Sequence, residues 1–451
     1  MRALYDSKSK DIDSRGIPLL LSDHTKYETW IKIELALAKA EAKVGMIPQS
    51  AADEICKRGT LENIDFQEVN RIKEEVGHGF VPFLKVFTKA CGEEGGKYVH
   101  YGATTQNIQQ TTQLYIAKKV WYVFYGFIKD ILMNLADLAE KHADTVMSGR
   151  THGKHAIPIT YGFKLSSYLD ELISMVERMK EAEPRIFTVM MGGAVGSFNT
   201  MGEVGPMIQD LVADELGMSS MNVPSRSIST HKIEMVMTLS LLCNILHKMA
   251  EEVYYTGIEE FNEIQEPFKK GTIGSSTMPH KINPKLSKGI IANSQKLYTL
   301  VSLGLTTGTR MFEGDSSTYM VHDAMIEEAL ELTAEVLMRA EELTRGIIVN
   351  KESMARNANL NGGLDNTENI MMKMADRLGK DVAHSLLYEK AMLVEREGQE
   401  FIKVLLDDPM IRGAFSEDEL KELLKPENYI GIGADIARKM SAKAKETAAQ
   451  L

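Results

Sequence analysis

Cysteine is scarce in this chain. Its three cysteines, Cys56, Cys91 and Cys243, lie far apart and offer neither a metal-ligand spacing nor a disulfide framework. They read as small core residues, or as thiols in a reducing compartment. Long apolar runs are also lacking, and no uninterrupted stretch reaches the length a membrane helix needs. Met1 to Arg15 is polar and mixed in charge, without a basic-then-apolar signal, so a cytoplasmic location is expected. Positive charge is in deficit: 52 Lys and Arg against 63 Asp and Glu leave a net charge of −11. That balance argues against a nucleic-acid partner, which needs basic patches. There is no P-loop, nucleophile elbow or CxxC. Gly192-Gly193-Ala194-Val195-Gly196 follows no strand and has the wrong spacing for a nucleotide loop, so it reads as a turn between helices. Internal repeats and low-complexity segments are absent, and strand-like alternation is nearly so.

What remains is helical periodicity. The 451 residues, 44% hydrophobic and 25% charged, suit a globular protein too long for one core, with two or three domains. After an irregular start over residues 1–25, a helix is expected from Thr25 to Val44, with Trp30, Ile33, Leu37, Ala40 and Val44 on its apolar face and Gly45 behind it. From Asn107 to Asp144 apolar residues recur at steps of three and four, from Leu114 to Leu138. Four similar segments follow, near Leu165–Met179, Ile233–Ile264, Leu286–Leu305 and Ala324–Leu343. The longest would span roughly 45 Å at about 1.5 Å per residue. Beyond Asn350 the helices shorten again. The expected fold is all-α, with three helical domains over residues 1–105, 106–350 and 351–451, the central one a long five-helix bundle. Met235 to Met249 is apolar over more than half its circumference, so self-association through the bundle is expected. The many methionines are read as gap fillers in a core.

Three polar stretches interrupt this pattern. Gly274-Ser275-Ser276-Thr277-Met278-Pro279-His280-Lys281-Ile282-Asn283-Pro284 brings two hydroxyls, a cation and an amide between two long apolar segments, with Pro284 placed to start a helix. Tyr98 to Asn107 precedes the first long helix, where Thr104 to Asn107 would cap its N-terminus or bind a carboxylate there. Ser148 to Pro158 links the first two long helices and carries Arg150, Thr151, His152, Lys154 and His155. A metal reading of the two histidines lacks a nearby Asp, Glu or Cys, whereas a histidine suits general acid–base work near neutrality. Neither a metal nor a cofactor is expected.

In this order on long helices, the three stretches resemble the fumarase/aspartase superfamily. The loop is similar to its GSSxMPxKxNP segment, and His100 to Asn107 and Gly149 to Pro158 resemble the HYGxTSxD and GRTHGxHAxP motifs of the adenylosuccinate lyase branch. Gly102-Ala103-Thr104-Thr105-Gln106 is also similar to the carboxymuconate cycloisomerases. The resemblance implies β-elimination that cleaves a C–N bond and releases fumarate. It also implies a homotetramer with a twenty-helix core and sites shared between subunits. Ser275 would be the base, and His152 the acid that protonates the leaving nitrogen. Lys281 and Asn283 would hold the carboxylate and its aci-form, with Thr104, Thr105, Gln106, Thr151, Ser276 and Met278 around the dicarboxylate, and His78 and His100 as substrate-site histidines. The alternatives are a 3-carboxy-cis,cis-muconate cycloisomerase-like enzyme and a non-catalytic helical scaffold of the same fold.

Several positions depart from that pattern. Lys288 replaces a glutamate that would pair with the acid histidine, and Asn107 replaces an acidic residue. A cation near the histidine favours neutral imidazole. Ser227-Ile228, Gly314 and Asp323 fall where the branch carries a glutamine and arginines that grip the nucleotide. Losing arginine forks removes bidentate phosphate recognition, which argues against AMP as the leaving group.

Overall fold

The computed structural model describes residues 11–268, 271, 273–314 and 316–451, the side chain of Ser316 excepted. Residues 1–10 of the irregular start, and Asp315, lie outside the described residues. In chain order, the elements that matter here are α1 (Asp23–Lys43), α2 (Phe66–Val76), α3 (Val81–Ala90) and α4 (Thr105–Lys141). The strands β1 (Val146–Thr151) and β2 (Lys154–Thr160) follow, then α5 (Tyr161–Ile186), α6 (Thr230–Thr256) and β3 (Ile264–Gln265). After these come α7 (Lys285–Thr307), α8 (Ser316–Gly346) and α9 (Lys351–Ala358), with short helices to the end of the chain.

The fold is mainly helical, as the periodicity predicts. The five long segments are α4 to α8, and α4, at 37 residues, is about 55 Å long. α6 stops at Thr256, short of the expected Ile264, because Gly257 turns the chain and Asn262 takes a positive φ of 51°. By length and composition α6 could cross a membrane, yet 61% of its most apolar window is buried inside the fold, as in a core helix. The start of the chain is less irregular than expected, since Ile17–Leu20 forms a helical turn. α1 begins where the Ser22 hydroxyl accepts the Thr25 N–H, 3.3 Å away. Gly45, at φ 77°, takes the chain out of it.

The link expected between the first two long helices is a β-hairpin. β1 and β2 pair antiparallel, with an irregularity between Ser148 and Arg150. A side chain on Gly149 would run into the Ile157 carbonyl, so a glycine is required at this bulge.

Packing gathers the chain into two compact units. The first comprises residues 1–126, 175–244 and 292–338, and the second residues 127–174, 245–291 and 339–451. This is a grouping by packing, whereas the three domains expected above follow chain order. The first unit is centred on Trp30, Ile33, Leu37, Phe80, Phe83 and Phe87, and Trp30 meets Phe80 edge-on at 4.8 Å. Such ring pairs add about 0.5–1.5 kcal/mol beyond the area they bury. A core in the second unit is built on Ile370, Met374, Leu387, Phe401 and Leu405.

Candidate active site

In the second unit the hairpin displays the candidate acid. Thr151 stands opposite Lys154, leaving His152 and Gly153 as a two-residue turn. Their φ angles, 53° and 73°, are both positive, as a type I′ turn requires. Glycine adopts this region freely, whereas for histidine it costs about 1–2 kcal/mol. Thr151 and His152 are exposed at the tip.

The loop that carries Ser275 is closed on itself. A side chain on Gly274 would collide with the backbone of Lys281 and Ile282, so the neck of the loop exists because residue 274 has none. The Asn283 amide donates to the Gly274 carbonyl at 2.6 Å, and Lys285 Nζ donates to the Ile273 carbonyl at 3.1 Å. Inside this ring the Ser275 Oγ accepts the N–H groups of Thr277 and Met278, at 3.3 and 3.1 Å. Two backbone donors on one hydroxyl oxygen favour its deprotonated form, which a base must reach. Ser276, Met278 and Lys281 are exposed, and Asn283 has spent one of its two N–H donors on closing the ring.

Just before the loop, the Glu266 carboxylate accepts the N–H groups of Leu286 and Ser287, at 2.9 and 2.5 Å, in the first turn of α7. An acid there suits the positive end of the helix dipole, which the half-buried Lys288 in the same turn opposes. Beside these residues lies a cavity of about 570 Å³, lined by Glu259, Glu266, His280, Lys281 and Asn283 among others.

The first unit holds the remaining predicted residues. His78 Nδ1 accepts the N–H groups of Phe80 and Val81, both at 3.1 Å, and so caps α3 and places its proton on Nε2. His100 has a φ of 61°, packs its ring against Phe80 at 5.5 Å, and sets Nδ1 2.7 Å from the buried Glu34 carboxylate. Thr104 directly precedes α4, and its N–H is held at 2.9 Å by the Asn107 side chain, reaching back from the first turn. Thr105 opens the helix; Gln106 and Asn107 are buried. Asn107 thus does a capping job that an acid would also do.

Of the positions that depart from the resembled pattern, all but Lys288 also lie in the first unit. Asp323 pairs with the buried Lys232 at 2.9 Å. Burial pulls the Lys232 ammonium below the usual lysine range, against the pull of Asp323. Arg226 stacks on Tyr319 at 5.3 Å, and a side chain on Gly314 would touch it. Arg310 donates to the Arg226 carbonyl at 2.7 Å, while its buried Nε and Nη2 have no hydrogen-bond partner among the described residues. Ser227 is hydrogen-bonded to Ser225 at 2.8 Å. The region keeps cations, but on different residues.

The first unit therefore brings together His78, His100 and Thr104 to Asn107. The second holds Thr151, His152, the loop and Lys288. Sequence reasoning missed the carboxylates behind them, Glu34 and Glu266. A lone glutamate on a helical or turn segment carries no signal that separates a buried partner from a solvated charge.

Comparison with known proteins bears on the family and the fold. A family model described as lyase matches residues 20–296, and one described as adenylosuccinate lyase C-terminus matches residues 363–440. The N-acetyl-S-(2-succino)cysteine lyase of Dickeya dadantii is 32% identical over 410 residues, 91% of this chain and 90% of the relative. The adenylosuccinate lyase of Pyrococcus abyssi is 33% identical over 416 residues, 92% of each. Among solved structures, the 3-carboxy-cis,cis-muconate lactonizing enzyme from Pseudomonas putida superposes with a TM-score of 0.87 at 26% identity, over 98% of this chain and 99% of that one. With the first model matching more than half of its length, this chain belongs to the lyase family, within the fumarase/aspartase superfamily.

Proposed function

We propose that this lyase catalyses β-elimination from a succinyl-type dicarboxylate and releases fumarate. The observation that carries the proposal is the closed loop in which Ser275 Oγ receives two backbone N–H groups. Removing a proton from carbon is feasible only when the base is activated and the charge growing on the carboxylate is held in place. Ser275 takes that proton. Lys281 and Asn283 hold the carboxylate, with Thr104, Thr105, Gln106, Thr151, Ser276 and Met278 as further contacts, and His78 and His100 complete the substrate side. The bond to the leaving atom then breaks, and His152 donates a proton to it. Neither a metal nor a cofactor has a step to perform.

Adenylosuccinate lyase is one relative; the name of another places the succinyl group on sulfur. The leaving atom is accordingly nitrogen or sulfur. Asp323 stands at a position where the nucleotide-binding branch carries arginine, and its pairing with Lys232 offers a phosphate on the leaving group no guanidinium fork there. The enzyme works as a cytoplasmic homotetramer with shared sites, a reading supported by the exposed Met237 and Leu241 on α6 and by three free cysteines.

The test is fumarate formation, followed by ultraviolet absorbance. The panel comprises adenylosuccinate, N-acetyl-S-(2-succino)cysteine, simple N-succinyl amines and 3-carboxy-cis,cis-muconate. Ser275→Ala is expected to lower kcat by about 10²–10⁴-fold, the usual worth of a positioned base. If no member gives fumarate, the elimination reading is wrong. Turnover of the muconate alone would favour the second reading, a cycloisomerase, which the structural likeness to the lactonizing enzyme supports. Inertness towards the whole panel would favour the scaffold.

A further inference from the structure

The geometry points to Glu263 and Asp365 as positioning residues for His152, set against the hairpin one rung below the Thr151–Lys154 pair that flanks its turn; the inference rests on the elimination reading above. Arg150 and His155 face each other across that rung, with only Thr151 to Lys154 beyond them. Each has beside it a carboxylate from a different segment. Arg150 meets Glu263 with both terminal nitrogens, at 3.0 and 2.5 Å, and lays its guanidinium on the Phe261 ring at 5.1 Å. His155 Nδ1 stands 3.5 Å from Asp365, within reach of it but without a hydrogen bond among the described residues.

Both carboxylates are buried, Glu263 at 0% and Asp365 at 8% side-chain exposure, and both are themselves oriented by an asparagine. Asn357 donates to Glu263 Oε1 at 2.8 Å, and Asn361 donates to Asp365 Oδ1 at 3.0 Å. The Glu263 carbonyl also accepts the Asn350 N–H at 2.9 Å. The bulge at Gly149 directly precedes Arg150, and bulges of this kind re-aim the side chains beside them.

A turn of two residues in positive-φ conformation has little internal freedom, so the direction in which His152 leaves the backbone follows the two rungs beneath it. The Arg150–Glu263 pair also ties the lower rung to the segment that continues through β3 into the Ser275 loop. A desolvated two-pronged pair sets distance and angle together, which a single lysine contact would not. Neither carboxylate touches the tip. Each acts through the side chain beside it, Arg150 or His155.

The two half-reactions give a test that separates aiming from mere support. Ser275 removes the carbon-bound proton, and in D2O a substrate that fails to eliminate takes up deuterium when the proton is returned. Release of fumarate needs, in addition, the proton from His152. With a panel substrate that the native enzyme converts, NMR follows deuterium uptake while absorbance follows fumarate. Glu263→Gln and Asp365→Asn are expected to lower fumarate release by about 10²-fold, the cost of a misplacement of about 1 Å, with KM within about threefold of the native value and deuterium uptake retained. His152→Asn should show the same raised ratio of uptake to release. A fall in both processes together, or in neither, overturns the inference. Should Glu263→Gln fold poorly with Arg150 left buried and unpaired, Asp365→Asn, at the looser contact, carries the same test. Native enzyme that neither exchanges nor releases fumarate with any member refutes the elimination reading instead.

Discussion

Glu34 and Glu41 lie two turns apart on α1, both buried, and their environments set them different tasks. Glu34 faces His100, so its charge is used to fix a ring. Glu41 has no hydrogen-bond partner for either carboxylate oxygen among the described residues. Burial, and then the nearby Glu34, push its carboxyl up to about 9 from an ordinary 4.5. The unfolded chain therefore releases this proton from about pH 4.5 upward, while the folded chain keeps it. Stability that is intact below pH 4.5 is lost steadily as pH rises towards 9, by about 3 kcal/mol at pH 7. Glu41→Gln keeps the shape and abolishes the titration. It is expected to raise the urea unfolding midpoint clearly at pH 8 and far less at pH 5. An equal gain at both pH values would show that Glu41 does not titrate in this way. Nothing in the sequence singles Glu41 out, because its burial comes from helices packed across α1 and not from its neighbours in the chain.

At the scale of elements, helices were legible and the hairpin was not. Spacings such as Trp30, Ile33, Leu37 and Ala40 repeat over many turns, and the buried side of α1 follows them. β1 and β2 have only 6 and 7 residues, and Gly149 breaks their alternation at the bulge. The turn is His-Gly, where the recognisable hairpin signal is Asn-Gly or Asp-Gly. The Ser275 loop was legible because all its parts are contiguous; Glu263, Glu266 and Asp365 were not, since only folding brings them to their partners. The same hairpin makes a prediction. Asn suits the first position of a type I′ turn better than His does, so His152→Asn should leave stability unchanged or raise it by about 0.5–1 kcal/mol while lowering fumarate release by about 10²-fold or more. Thermal unfolding and kcat, measured on one preparation, check both halves. Loss of stability would mean that the ring makes contacts the turn needs.

At the scale of the whole molecule, the expectation concerns what covers the apolar surface. Met237 and Leu241 on α6 are 45% and 54% exposed, and Leu305 on α7 and Met320 on α8 are exposed as well. Large apolar side chains on several long helices are costly to leave in water, at about 25 cal/mol per Å². Light scattering at micromolar concentration is expected to give a mass about four times that of the 50.3 kDa chain. Leu241→Glu is expected to shift the protein to smaller species and to reduce turnover with them. A monomeric native protein that is fully active would refute the shared-site arrangement. One further consequence follows from the ring closed by Gly274 and Asn283. A segment tied end to end has little contour to spare, so seating it on the proposed dicarboxylate would order one compact body. Ten separately mobile residues would each forfeit about 1–2 kcal/mol of backbone entropy on the same event. A substrate with few atoms has little binding energy to spend, and this chain asks it to organise very little.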